Sequence, residues 1–443
     1  MNLRPLDQNS EGDKRSEVSI PLRNTGDAAP VPPVGLRTEV AVYGIGAFST
    51  TMHFMAITIV PLWVVGLDLS PFLLGIVLGS RPVASLFLSI HIGALMDRVG
   101  GRRVMLFFAV LGTLTPVFYP LMPWVWAIVV LQMLWGLADS MGWLGAQTLV
   151  GQVMGGRTVY AGRLSVVSRI GNFVGPPLAG AVWDVGGPWA AFGLAALWGT
   201  GAIVSALLLP ETRAAAPATA SALAGGPTKA ERGWWSLLIP DPADYVATFR
   251  LLAAPTVAIT VAIGMMTHVG NNIQSSFYVV WLNQSGISGT LIGLLFALSS
   301  VTAGIGPLLA SPLSRWIRPY WLLWSVVWIA LVLIAITPAL GIFVMFAVVL
   351  LIRSFFSGIH QPLVITLTLR TAGPGAQGKA IGLRATANRV TSILAPVLMG
   401  AIAEVAGIEL SFYILGAVAT VAMIAIAVWM LRHPEIHENA REA

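Results

Sequence analysis

The stretch GALMDRVGGRR, residues 93–103, separates two long apolar runs. It contains one aspartate, three arginines and three glycines. Apolar runs of about 20 residues, like those on either side of it, are long enough to cross the hydrocarbon core of a bilayer as helices. The stretch therefore predicts a short, charged turn that joins two membrane-spanning helices.

The composition of the whole chain agrees with a membrane protein. Of its 443 residues, 56% are hydrophobic and 10% are charged, and the mean hydropathy is +0.81. Soluble domains carry roughly 25% charged residues, so this chain has too few charges to cover a water-facing surface. It contains no cysteine, which excludes disulfide bonds, thiolate metal sites and cysteine catalysis.

A scan for apolar runs predicts twelve membrane spans, numbered here in chain order. They cover residues 39–66, 71–95, 104–122, 125–149, 164–184, 188–209, 253–281, 288–313, 320–338, 341–368, 383–405 and 409–431. The polar stretch after span 6 includes AAAPATASALAGGPTKAERG (214–233), whose small residues without periodicity indicate a linker. The predicted organisation is a disordered cytoplasmic tail (1–37), a six-helix half (38–209), a cytoplasmic linker (210–249), a second six-helix half (250–431) and a cytoplasmic tail (432–443).

The positions of the basic residues predict the orientation in the membrane. With the N-terminus inside, all but two of the 25 lysines and arginines fall in the tails, in cytoplasmic loops or near cytoplasmic helix ends. The exceptions are Arg81 and Arg353, in mid-membrane, while the outer loops hold acidic residues. Because basic residues mark the cytoplasmic side, we expect a multi-pass protein with both termini in the cytoplasm. The lack of a targeting signal favours a bacterial inner membrane.

The two halves of the chain repeat each other. GNFVGPPLAG (171–180) aligns with TSILAPVLMG (391–400) at an offset of 220 residues. The aligned pairs are Pro176 with Pro396, Gly180 with Gly400, Asp184 with Glu404 and, at an offset of 218, Gly75 with Gly293. Internal repeats of membrane helices are typical of secondary transporters, whose substrate site lies near mid-membrane between the repeats.

The opening stretch resembles the loop 2–3 signature of the major facilitator superfamily, G-x-x-x-D-R-x-G-x-R/K-R/K. Its positions are filled by Gly93, Asp97, Arg98, Gly100, Arg102 and Arg103. The resemblance implies an all-α membrane protein of twelve helices in two pseudo-symmetric six-helix bundles, and a gating role for this loop. Asp97 can form a latch with a basic group or a helix N-terminus; the alternative is that the arginines only set the topology.

A second motif lies in span 5. GNFVGPPLAG resembles the motif G-x-x-x-G-P-x-x-G-G of proton-coupled efflux antiporters in the same family. The matched residues are Gly171, Gly175, Pro176 and Gly180, whereas Ala179 replaces a glycine. The alternative is a structural kink that says nothing about the direction of transport.

Large polar side chains concentrate in spans 1, 4, 7 and 10, which the resemblance implies line a central cavity. Asp139 is the only carboxylate in a predicted helix core. Burial disfavours its charge and a nearby arginine favours it, so Asp139 is the first candidate for proton coupling. His53, His268 and His360 are further candidates, because histidine titrates near neutrality. The alternatives are a static ion pair of Asp139 with Arg81, and neutral, hydrogen-bonded histidines.

Other polar or aromatic side chains of these spans and of span 2 are candidates for substrate binding. They are Arg353, Gln132, Asn271, Asn272, Gln361, Trp143 and Arg81. Gln132 stands where the family's span 4 motif has an arginine, four residues before Gly136. The role in proton coupling that is linked to that arginine therefore does not carry over directly.

The leading hypothesis is a secondary active transporter that moves a small organic solute by alternating access, with proton-coupled efflux of an amphipathic compound. Uptake or exchange of an organic anion is an alternative, and a transporter-like sensor without flux is another. GPGAQGKA (373–380) lacks the Ser/Thr of a phosphate-binding loop, which disfavours an ATP-driven pump. We expect no enzyme activity, cofactor, metal or nucleic acid, and a monomer whose partners are a small-molecule substrate, protons and the lipid bilayer.

Overall fold

The computed structural model describes residues 34–88, 95–96, 99–155, 157–211, 251–372 and 377–433. Within these residues the secondary structure is entirely helical. The helices are α1 (Leu36–Val65), α2 (Pro71–Gly79), α3 (Val83–Leu88), α4 (Gly101–Phe118), α5 (Val125–Val153), α6 (Thr158–Leu208), α7 (Pro255–Ser275), α8 (Phe277–Gln284), α9 (Gly289–Trp316), α10 (Pro319–Ala335), α11 (Phe343–Ala372), α12 (Gln377–Ala406) and α13 (Ile408–Arg432). Two short 3₁₀ helices, Leu251–Ala253 and Thr337–Leu340, precede α7 and α11.

Ten of the twelve predicted spans coincide with one of these helices or with part of one, and spans 2 and 7 each cover two helices. Nine helical segments of the described residues are long and apolar enough to cross a membrane, and α10 is a shorter apolar helix. The longest segment contains two spans, because α6 leaves helical geometry at Gly187, where φ is +66°. Glycine adopts this left-handed conformation without steric cost, and Pro188 begins the next helical stretch.

Two spans that the sequence predicted as continuous are broken. Span 2 is interrupted at Ser80–Pro82 and continues as α3, because Pro82 lacks a backbone N–H and restricts the residue before it. Span 7 is interrupted at Ser276, whose φ and ψ of −126° and −96° are not helical. Both breaks lie beside the cavity described below.

The two halves of the chain meet along paired helices: α2 packs on α12, and α6 packs on α9. A Cβ on Gly75 would lie 2.5 Å from the carbonyl oxygen of Pro396, and a Cβ on Gly293 would overlap the carbonyl oxygen of Pro176. Only glycine permits backbones to approach this closely. Since Gly75 aligns with Gly293 and Pro176 with Pro396, the repeat makes the same contact twice. We call these two contacts the seam.

Candidate functional site

A central cavity of about 520 Å³ lies between the two halves. Its polar lining consists of His53, Arg81, Gln132, Ser140, Arg169, Asn172, His268, Asn271, Asn272, Gln274, Ser275, Ser276, Ser299, Ser300, Arg353, Ser354, Ser357 and Ser392. Apolar side chains, among them Phe54, Ile57 and Phe296, complete the wall. Its volume is within the range of pockets that hold small organic ligands.

An ion pair lies in the wall formed by the first half. Arg81 donates a hydrogen bond to Oδ2 of Asp139, and the Asp139 side chain is only 4% exposed. His53 Nδ1 lies 3.6 Å from the same carboxylate oxygen, and its ring is 41% exposed. One buried carboxylate therefore contacts an arginine and a histidine, and both of these line the cavity.

The position of Arg81 follows from the break in span 2. The break brings the Arg81 backbone against α5 at Gly136, where a Cβ would overlap the Arg81 carbonyl oxygen. The guanidinium lies 5.4 Å from the centre of the Trp135 ring, within the distance of a cation–π interaction. Gln132 Oε1 accepts hydrogen bonds from Arg81 Nη1 at 3.3 Å and from the Tyr119 hydroxyl at 3.2 Å.

A second arginine lies in the wall formed by the other half. Arg353 of α11 is 3% exposed. Its guanidinium donates to Gln274 Oε1 and, at 3.0 Å, to Asn271 Oδ1. On the same helix as these two amides, Asn272 donates to the His268 carbonyl oxygen at 2.6 Å and to the Ser392 hydroxyl at 3.0 Å. This hydrogen-bonded cluster links α7, α11 and α12.

Some predicted site residues lie elsewhere. His360 is buried, 4% exposed, in a small void that it shares with Arg353 and Asn271, and it does not line the central cavity. Gln361 is exposed outside the cavity lining. Trp143 is partly buried against the packing core of the first half. None of these three side chains lines the central cavity.

The predicted gating loop is only partly described. Gly93, Asp97 and Arg98 lie outside the described residues, so the predicted Asp97 latch stays a prediction. Of the remaining motif positions, Gly100 precedes α4 with φ of +96°, Arg102 lies 3.7 Å from Glu211, and Arg103 is exposed.

The span 5 motif is a packing surface. A Cβ on Gly171 would overlap the Thr51 hydroxyl of α1, and a Cβ on Gly175 would lie 3.0 Å from the Thr51 side chain. A Cβ on Gly180 would overlap the Gly289 carbonyl oxygen, and Pro176 belongs to the seam. Close helix packing accounts for all four matched positions.

Among the large polar lining residues, sequence reasoning missed three: Arg169, Asn172 and Gln274. Arg169 was counted with the basic residues near a cytoplasmic helix end. Its spacing of three residues from Asn172 places both on one helix face, which could have indicated a polar stripe. Gln274 follows Asn271 at the same spacing. Within the described residues, no group of three His, Cys, Asp or Glu side chains is placed to hold a metal ion.

Two helical halves around a polar cavity define a class: an integral, multi-pass membrane transporter rather than an enzyme. The sequence model of the Major Facilitator Superfamily matches residues 42–269 and 260–443. The chain belongs to the Major Facilitator Superfamily, and its fold is the fold of that family. The family and the all-α membrane fold predicted from the sequence are thereby confirmed, and the count of twelve spans stays a prediction.

Solved structures of other transporters share this fold. The nucleoside transporter NupG is 15% identical with a TM-score of 0.66, and the match covers 89% of this chain and 99% of NupG. The peptide transporter POT in complex with sulfate is 14% identical with a TM-score of 0.70, covering 92% and 97%. A bacterial homologue of the human lysosomal transporter Spinster, in an inward-facing and unoccupied conformation, is 14% identical with a TM-score of 0.59, covering 91% and 96%. Comparison with curated protein sequences gives no match.

Proposed function

We propose that this protein is a secondary active transporter that moves a small organic solute across the membrane by alternating access, coupled to protons. One observation carries the proposal: the polar cavity lies between the two halves, and the seam brings those halves together beyond one end of it. Rocking of the halves about the cavity would break the seam and expose the cavity to the other side.

Carboxylates of one half cap helices of the other half beside the seam. Asp184 accepts hydrogen bonds from the backbone N–H groups of Gly289 and Thr290, both at 2.8 Å, and from the Thr290 hydroxyl at 2.6 Å. Glu404, its equivalent in the repeat, accepts from the Phe72 N–H at 2.9 Å. Negative charge is stabilising at a helix N-terminus, so each half contributes one cap that favours closure of this end.

The distribution of charge supports an orientation. The seam and its caps lie at the end that holds Asp184 and Glu404, and the described basic residues concentrate towards the opposite end, which holds the first and last described residues, 34 and 433. Since basic residues mark the cytoplasmic side, we propose that the termini are cytoplasmic, in a bacterial inner membrane, and that this conformation is closed to the outside. The monomer suffices for this function, because one chain contributes both halves.

The cluster around Asp139 supports coupling to protons. His53 is exposed to the cavity and lies 3.6 Å from the carboxylate, so it can pass a proton between cavity water and Asp139. Protonation of Asp139 would release Arg81. Because Arg81 lies in the break between α2 and α3, its ion pair with Asp139 holds this segment against α5. A conformational change can thus be linked to loading of a proton. His268 also lines the cavity and is a second candidate for proton exchange.

The direction of transport is a separate question. The span 5 motif favoured export, yet close packing accounts for each of its matched residues, so the motif gives no further support to efflux of an amphipathic compound. The apolar wall of Phe54, Ile57 and Phe296 does fit such a compound, and export of it therefore stays a candidate beside uptake.

The test is solute flux in proteoliposomes. Vesicles that contain the protein and a pH-sensitive dye are given organic acids, nucleosides, dipeptides and amphipathic amines in turn, with empty vesicles as the control. A solute that enters together with a pH change supports the proposal. Flux without a pH change would refute proton coupling, and binding without any flux would favour a sensor.

The two caps provide a prediction about conformation. Replacing both carboxylates, Asp184→Asn with Glu404→Gln, keeps the side-chain size but removes the charge at each helix N-terminus. Each such interaction contributes about 0.3–1 kcal/mol, so we expect a roughly 3- to 30-fold shift towards opening of this end. Labelling of Ser299→Cys from the outside with a membrane-impermeant maleimide measures this opening, since Ser299 lines the cavity. Unchanged labelling in the double variant would contradict the role of the caps.

A further inference from the structure

We infer that the transported solute carries an anionic group, a carboxylate or a phosphate, and that Arg353 binds it. This inference rests on the proposed function, because it assigns the substrate class of the same cavity. It starts from the charges of the wall. Three arginines line the cavity, and no aspartate or glutamate does so among the described residues.

Only one of these arginines has its positive charge neutralised by a nearby carboxylate. Arg81 is paired with Asp139. Within the described part of the chain, neither Arg169 nor Arg353 has a carboxylate within 4.0 Å. The cavity wall therefore keeps two positive charges after the Asp139 pair is counted. A low-dielectric cleft lined by one sign of charge attracts solutes of the opposite sign.

The surroundings of Arg353 point to an anion as its missing partner. Its partners Gln274 and Asn271 are neutral amides, and its buried Nε has no hydrogen-bond acceptor. A buried guanidinium is costly unless a negative charge compensates it. The two amide oxygens hold the guanidinium plane in a fixed orientation, as a preformed binding group requires.

The chemistry of the Arg353 guanidinium limits which group of a solute can bind it. Its planar array of N–H donors binds the paired oxygens of a carboxylate or a phosphate, and it has no capacity to accept a hydrogen bond. Arg169 enters the cavity from the other half, its Nη1 3.5 Å from the place where a Cβ would stand on Gly304 of α9. An anion between Arg353 and Arg169 would thus contact both halves and favour their closure around it.

The other lining residues indicate which further groups the solute carries. The hydroxyls of Ser300 and Ser392 and the amide of Asn272 can bind hydroxyl or amide groups, and Phe54 and Ile57 offer an apolar surface. A volume of about 520 Å³ suits a small organic acid or a phosphorylated metabolite rather than an inorganic ion alone.

The test measures binding without flux. Thermal unfolding of the purified full chain is followed with matched pairs that differ in charge: benzoate and benzamide, gluconate and glucose, glucose 6-phosphate and glucose, with sulfate as an inorganic anion. We expect acids to stabilise the protein and their neutral counterparts not to do so. The carboxylate and phosphate pairs distinguish the two sources of negative charge. Equal stabilisation by neutral partners, or none by any acid, would overturn the inference.

Variants assign the effect to one side chain. Arg353→Gln should weaken binding of the best acid by about 10- to 100-fold, and Arg353→Lys should retain part of the affinity because it keeps the charge. Arg432→Gln, on the last turn of α13 and outside the cavity lining, is the matched control and should bind normally. Normal binding by Arg353→Gln would refute the assignment. Acid binding by a protein that shows no flux would refute the transport proposal and leave standing only the assignment of Arg353 as an anion-binding residue.

Discussion

Replacing Gly293 with valine is expected to abolish most of the transport activity while the protein still folds and enters the membrane. In the seam, a Cβ on Gly293 would overlap the Pro176 carbonyl oxygen, and this atom belongs to a helix backbone that cannot step aside. Overpacking of a close contact costs about 1–3 kcal/mol. We therefore expect closure of the end with the seam to become roughly 5- to 150-fold less favourable, and the transport rate to fall accordingly.

Solute flux per molecule of reconstituted protein measures this effect. The matched control is Gly193→Val. Gly193 lies inside α6, as Gly293 lies inside α9, and a Cβ added to Gly193 would have no neighbouring atom within 4 Å. Gly75→Val, at the equivalent contact with Pro396, should reproduce the loss. Flux at the normal rate in Gly293→Val would show that the seam does not have to close during the cycle.

Replacing Asp139 with asparagine is expected to eliminate the solute-driven pH change. The substitution removes the proton-binding group and leaves Arg81, whose side chain is only 12% exposed, without its counter-charge. Loss of one partner from a buried ion pair typically costs about 3–5 kcal/mol, so the midpoint of thermal unfolding should fall as well. The two effects are measured with a pH-sensitive dye in proteoliposomes and by thermal unfolding.

A double variant separates the two effects. Asp139→Asn combined with Arg81→Gln leaves no unpaired charge, so stability should recover while proton coupling stays lost. Asp68→Asn is the control for loss of a carboxylate: Asp68 is exposed after α1, and asparagine tolerates its φ of +49°. A normal pH change in the stable double variant would mean that Asp139 forms only a structural ion pair.

Much of the fold could be predicted from hydropathy, because crossing a bilayer requires a long apolar helix. The interruptions at Ser80–Pro82 and Ser276 were missed. A hydropathy scan averages over many residues, so it does not detect a short break that has apolar residues on both sides. Pro82 was a visible signal for the first break. Ser276 has no comparable signal, because its conformation depends on the packing of α7 and α8 against the rest of the protein.

The site was predictable to a lesser extent. Polar residues inside a membrane are costly, which drew attention to Asp139, Arg81 and Arg353. The structure places both arginines in the cavity wall and Asp139 beside Arg81. Depth along a helix could not establish that Arg81 pairs with Asp139, since that contact depends on the break in span 2 and on Gly136. Arg169 was missed because a cation near a helix end has two equally good explanations, membrane topology and a cavity wall, until the neighbouring helices are placed.

Spin-label distances at both ends of the same protein test alternating access most directly. The chain has no native cysteine, so labels can be introduced in pairs without other changes. Ser165→Cys with Ala385→Cys reports on the end opposite the seam, and Val185→Cys with Val405→Cys reports on the end with the seam. All four positions are exposed, and the two residues of each pair are equivalent in the internal repeat. Distances are compared with and without the Asp184→Asn and Glu404→Gln changes. If the two halves alternate in access, the 185–405 distance lengthens as the 165–385 distance shortens. Two fixed distances, or distances that change in the same direction, would contradict it.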